Sequence, residues 1–173
     1  MAPRIRVGIS ACLLGREVRY DGGHKRDRSI LATLGRRFDL VPVCPEVEIG
    51  LGVPREPLRL EGKGAAPRLV FRSSRLDITR RMKAWARRRV RDLGTADLRG
   101  FVLKSRSPSC GLARVPLHRA GRGGAPSLRG RGLFASALVE RFPSLPVVEE
   151  LQLHDRAARQ DFVRRVLAFK GKA

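Results

Sequence analysis

The sequence predicts an α/β fold: one domain, 1–173, with a parallel sheet of about four strands and helices on both faces. Three observations carry that expectation. Short apolar runs rich in Val, Ile and Leu alternate with segments whose apolar residues recur at helical spacing. At 173 residues the chain suits a single domain that buries a proper core without disulfides. No internal repeat divides it, and the glycine-rich stretches GKGAAP (62–67) and AGRGGAPSLRGRG (120–132) read as mobile surface loops rather than interdomain linkers.

Taken in order, Ile5 to Ile9 is the first strand, and Arg26 to Phe38, with Ile30, Leu31, Leu34 and Phe38 on one face, the first helix. Leu40 to Val43 is the second strand. Asp77 can cap a helix carrying Ile78, Met82, Trp85, Ala86 and Val90, which stops near Gly94. Phe101 to Leu103 is the third strand, Leu133 to Phe142 a helix, Pro146 to Val148 the fourth strand. Asp155 to Phe169 closes the chain as a helix with Phe162, Val166 and Phe169 aligned. A βαβα succession of this kind predicts a Rossmann-like arrangement, because parallel strands need crossover connections that cover the sheet.

The stretch KSRSPSCG (104–111) has almost nothing apolar to bury, yet it holds one of only three cysteines. A structural cysteine normally behaves as a small buried hydrophobe. Cys12 follows the first predicted strand in SACLLG, Cys44 the second in VPVCPE, and Cys110 lies in the loop after the third. The carboxyl ends of parallel strands share one edge, where ligands bind, so three cysteines distant in sequence are expected to converge there. Independent burial would scatter them through strands and helix faces. A disulfide would leave one thiol over and suits a cytoplasmic chain poorly. Structural zinc would need a fourth ligand, His24 or His118, and neither shows the close-pair spacing of zinc sites. A 4Fe-4S cluster held by three cysteines fits better and leaves one iron not ligated by protein, open to substrate as a Lewis acid.

Glu46 follows Cys44 across Pro45, which would hold a carboxylate near such a centre, where it could move protons or activate water. The plainer alternative is a helix-start or solvated carboxylate. Ser105, Ser107 and Ser109 offer hydroxyls around Cys110, although serines in loops are often only turn formers, and Gly111 permits close backbone approach. RYDGGHKRD (19–27) sets Gly22, Gly23 and His24 before a helix expected to begin at Lys25, where N–H groups and the dipole could hold an anion rather than merely turn the chain.

The segments SACLLGREVRYDGGHKRD, VPVCPEVEIGLGVPREP, LDIT and LKSRSPSCG resemble the thiouracil desulfidase family, small bacterial proteins long filed as a domain of unknown function. The resemblance runs from about Ile5 to Phe169. It implies a 4Fe-4S cluster on Cys12, Cys44 and Cys110, an open iron that takes a thiocarbonyl sulfur, and catalytic roles for Glu46 and a serine placed at Ser107. The expected reaction turns a thiolated uracil into the oxo-pyrimidine and sulfide, with Glu46 activating water, Ser107 contacting the pyrimidine edge, and no net redox change. The arginine-rich insertion at 120–132 and an unusually high basic charge depart from the family pattern.

That charge is +21, with a pI near 11.7. It points to a phosphate, nucleotide or polyanion partner, set against the fact that the arginines spread along the whole chain. A phosphate-bearing substrate such as thiouridine monophosphate is expected, cradled by Gly22, Gly23, His24 and Lys25 with help from Lys104 or Arg106. RNA is the less favoured partner. The alternative reading is a basic RNA-binding module with a structural zinc site; a cysteine-nucleophile enzyme lacks a suitably placed histidine. With no leader-like start and no apolar run of membrane-spanning length, a cytoplasmic setting with reduced thiols and no membrane partner is expected.

Overall fold

The computed structural model describes residues 4–62, 66–121 and 123–170. In chain order its elements are β1 (Arg6–Ser10), α1 (Arg28–Arg37), β2 (Asp39–Val43), α2 (Pro45–Glu48), β3 (Leu58–Glu61), β4 (Arg68–Phe71) and α3 (Thr79–Thr95). There follow β5 (Leu98–Leu103), β6 (Val115–His118), β7 (Ser127–Gly130), α4 (Leu133–Arg141), β8 (Val147–Glu149) and α5 (Arg156–Ala168), with 3-10 turns at Ala11–Leu14 and Glu150–His154.

The expected parallel sheet is present, in the order β2-β1-β5-β8. Its central strands are buried on both faces, which is why β1 and β5 read as near-continuous apolar runs rather than alternating ones. On one face Val7, Ile9, Val102 and Val148 meet Ile30 and Leu34 of α1 and Phe162 and Val166 of α5. On the other, Phe101 and Leu103 meet Met82, Trp85 and Ala86 of α3 and Phe134 and Leu138 of α4. Phe134 is the hinge of that second layer, its ring 5.5 Å from Trp85 and 5.6 Å from Phe101. Gly8 makes room for the Phe101 ring: a Cβ there would lie 2.2 Å from that ring, so only glycine lets it lie across β1.

The helices begin where side chains satisfy their first N–H groups. Asp27 Oδ1 accepts from Ile30 N at 3.0 Å and Asp155 Oδ1 from Ala158 N at 2.8 Å. Asp77 Oδ1 accepts from Thr79 N at 2.8 Å, although Ile78 occupies the cap position itself, and α3 runs through Gly94 to Thr95. One start is corrected: α1 begins at Arg28 instead of Lys25, so Gly22, Gly23 and His24 stand outside the helix, and the Asp27 carboxylate occupies the N-terminus where an anion was expected.

A second, mixed sheet was not anticipated. Its order is β4-β3-β6-β7, with β3/β4 and β6/β7 antiparallel and β3/β6 parallel. Each of its strands spans four residues, β6 contains Pro116, and β3 alternates Leu58 and Leu60 with Arg59 and Glu61, too short and charged a pattern to stand out. Glu61 is fully buried, and tertiary pairing with Arg59 (2.6 Å) and Arg75 (2.7 Å) makes that tolerable. The stretch 120–132, expected as a mobile loop, supplies β7, while of the stretch 62–67, residues 63–65 lie outside the described residues. Leu60, Leu69, Val115 and Leu117 extend the α3/α4 side of the core. Among the described residues no helix is long and apolar enough to cross a membrane.

Candidate active site

β1 and β5 lie side by side at the centre of the parallel sheet, with β2 and β8 outside them, so chain order reverses between them and opens a crevice at their carboxyl ends. Cys12 sits in the 3-10 turn after β1, Cys44 is the residue capping α2 after β2, and Cys110 lies in the turns after β5. All three line one cavity of about 370 Å3, together with Glu46, Lys104, Ser105 and Ser107. The turns are tied to one another. Cys12 O accepts from Gly15 N (3.2 Å) and Lys25 N (2.9 Å), and Ser10 Oγ accepts from Lys104 N at 2.9 Å. Ser107 Oγ accepts from Ser109 N (3.2 Å) and Cys110 N (3.0 Å), which shapes the turn that presents Cys110. Gly132, just before α4, allows that turn to rest on the helix start, for a Cβ there would lie 2.4 Å from Ser109 O.

Burial holds these thiols neutral. It pushes Cys12 up to about 11, partly opposed by Lys104 and reinforced by Cys44. Cys44 is raised by burial and by Glu46 against the Val47 N–H, and Cys110 is raised well above its ordinary value by burial, with a hydrogen bond from Ser10 opposing and Cys44 and Cys12 adding. A thiol raised in this way is a poor free nucleophile, which counts against the cysteine-nucleophile reading.

Glu46 lies in the first turn of α2 after Pro45, and both its carboxylate oxygens are engaged. Oε2 accepts from Arg55 Nε (2.9 Å) and Nη2 (2.6 Å), and Oε1 accepts from Ser109 Oγ (2.9 Å). Ser109 therefore stands behind Glu46 and does not line the cavity. Lys104 and Ser105 do line it, but their polar atoms serve the buried Glu150: Lys104 Nζ pairs with Glu150 Oε1, Ser105 N donates to Oε2 at 2.6 Å and Ser105 Oγ to Oε1 at 2.8 Å. Of the expected anion cradle only Lys25 reaches the cavity; Gly22, Gly23 and His24 do not line it. Lys104 and Arg106, the expected helpers, do line it, and Arg19, Arg55 and Arg72 join them. Sequence reasoning missed Arg55, Arg19, Arg72 and Glu150. Each is one basic or acidic residue among many, with 37 Lys and Arg in the chain, and only tertiary structure singles it out.

Among the described residues no three His, Cys, Asp or Glu side chains are grouped as a site for one metal ion, where zinc would need thiolates to converge at about 2.3 Å from a common centre. Three thiols lining one cavity suit a polynuclear iron–sulfur group, which carries its own sulfides and takes thiolate ligands.

Fold and site thus define an open parallel α/β protein with a three-thiol pocket at the point where strand order reverses. The chain belongs to the 2-thiouracil desulfurase family, whose model matches residues 7–150. It is similar to a solved 4Fe-4S-dependent thiouracil desulfidase, TudS, at 33% identity and a TM-score of 0.70, covering 91% of this chain and 99% of that one. It is also 27% identical over 154 residues to the uncharacterized protein YbbK of Bacillus subtilis (strain 168), covering 85% of this chain and 97% of the relative.

Proposed function

We propose that the protein is an iron–sulfur-dependent desulfidase that takes the sulfur from a thiolated uracil base or nucleotide and leaves the oxo-pyrimidine and sulfide. Cys12, Cys44 and Cys110 would hold a 4Fe-4S cluster with one iron lacking a protein ligand. The observation that carries this reading is the placement of all three thiols around one cavity beside the Glu46 carboxylate. When bound, the cluster supplies a Lewis-acidic iron for the thiocarbonyl sulfur.

The chain's own residues do the rest. Arg55 uses Glu46 Oε2 twice and Ser109 uses Oε1 once, which leaves a lone pair on Oε1 that can take a proton from water entering the cavity and return it to the departing sulfur. Ser107 Oγ accepts two backbone N–H groups, which leaves its own hydrogen to donate to a carbonyl on the pyrimidine edge. The net change adds water and releases hydrogen sulfide, so no external oxidant or reductant enters. Arg19, Lys25, Arg72 and Arg106 at the cavity favour a substrate bearing a phosphate. Reduced thiols and an oxygen-sensitive cluster suit a cytoplasmic setting.

The test is iron and acid-labile sulfide analysis of protein purified without oxygen. Roughly four of each per chain, lost on exposure to air, is the expected result. One zinc per chain, or a metal-free protein that binds RNA tightly, would overturn the reading in favour of a basic binding module.

A further inference from the structure

Arg55 is among the least exposed charged side chains at the cavity, 5% accessible against 15% for Glu46, and every one of its guanidinium nitrogens is used. Nε and Nη2 both donate to Glu46 Oε2, at 2.9 and 2.6 Å. Nη2 also donates to Val18 O at 2.9 Å and Nη1 to Gly52 O at 2.8 Å, while its backbone N donates to Tyr20 O at 2.9 Å. Val18 and Tyr20 belong to the segment that follows Cys12, and Gly52 to the loop that follows α2. One planar fork therefore joins the Cys12 segment, the α2 loop and the Glu46 carboxylate. With Ser109 Oγ on Oε1 at 2.9 Å, the carboxylate is held at both oxygens.

Arg55 lines the cavity, but its guanidinium nitrogens are all engaged by Glu46, Val18 and Gly52; we infer that it is a positioning residue for the desulfidation, one that sets the orientation of the Glu46 carboxylate rather than binding substrate through those nitrogens. This rests on the role proposed for Glu46. A fork is needed for the task, because a lysine ammonium is a point donor that cannot serve Glu46, Val18 and Gly52 in one plane. A misplaced base is costly even when it is present, since an error near 1 Å in a catalytic group lowers rate by about 10²-fold.

A purely structural role for Arg55 would cost the same whether or not residue 46 is a carboxylate. A positioning role would not. The experiment compares Arg55→Lys, Glu46→Gln and the double variant, as cluster-loaded proteins with matched visible spectra. Arg55→Lys is expected to lower kcat by roughly 10-fold to 10²-fold with KM little changed, and to cost almost nothing further in the Glu46→Gln background. A crystal structure of cluster-free Arg55→Lys is expected to show the Glu46 carboxylate rotated away from Ser109. Equal, multiplying losses in both backgrounds, or a carboxylate left in place at full rate, overturn the proposal while leaving Glu46 in its role. A Glu46→Gln protein with full activity would overturn both. If Arg55→Lys folds poorly, Arg55→Gln carries the same comparison, with the melting temperature reporting fold separately from rate.

Discussion

Cys12 is a neutral thiol in the cluster-free protein because burial lifts it to about 11, against an ordinary value of 9.0. The folded chain thus binds more protons than the unfolded chain between those values, so stability falls as pH rises through that window. Melting temperatures of the cluster-free protein are expected to drop from about pH 9 upward, and Cys12→Ser should lessen that drop without abolishing it, since Cys44 and Cys110 are raised as well. The same protonation makes assembly release protons, because metal binds the thiolate. Glu46→Gln is the complementary variant. It keeps shape and hydrogen bonding to Arg55 but cannot take a proton, so the cluster spectrum should stay intact while turnover falls by ~10²-fold or more. The cysteines and Glu46 could be found from sequence because strand ends locate them; Ser109 was placed near the cavity but turned behind Glu46, and Arg55 was invisible because its partner is reached only through the folding of the α2 loop.

At the scale of elements, the four parallel strands and the helices α1, α3, α4 and α5 are readable because apolar spacing marks them, helped at α3 by Asp77 just before its start. The second sheet is not, since strands of four residues with Arg, Glu and Pro at alternate positions owe their form to cross-strand pairing more than to local preference. Its cost to the functional reading was the position of Arg72, which follows β4 and so reaches the cavity from a sheet the sequence did not announce. The junction of α4 with the Cys110 turn is a tight element contact. Gly132→Ala places a methyl 2.4 Å from Ser109 O, so the helix or the turn must shift. The variant is expected to lose about 1–3 kcal/mol in chemical denaturation and to bind iron less completely than wild type. Full iron content at unchanged stability would show that the turn does not depend on that close approach.

For the whole molecule, the charge of +21 is spread widely, but Arg19, Lys25, Arg72 and Arg106 concentrate part of it at the pocket, where Lys104 is already paired with Glu150. A phosphate-bearing substrate gains from that field, and the free base does not. Thiouridine monophosphate is expected to show a lower KM than the free thiolated base, with the preference eroding as salt rises, since screening acts beyond roughly 8 Å at physiological ionic strength. Lys25→Ala should weaken the nucleotide selectively; equal KM values for base and nucleotide at every salt concentration would return the charge to the general surface. The most direct test of the central claim is sulfide release from a thiolated uracil by anaerobically reconstituted protein, wild type beside Cys110→Ser. The account predicts one sulfide per oxo-pyrimidine from the wild type and none from the variant, which cannot complete the three-thiol site. Equal turnover by the two proteins would contradict it.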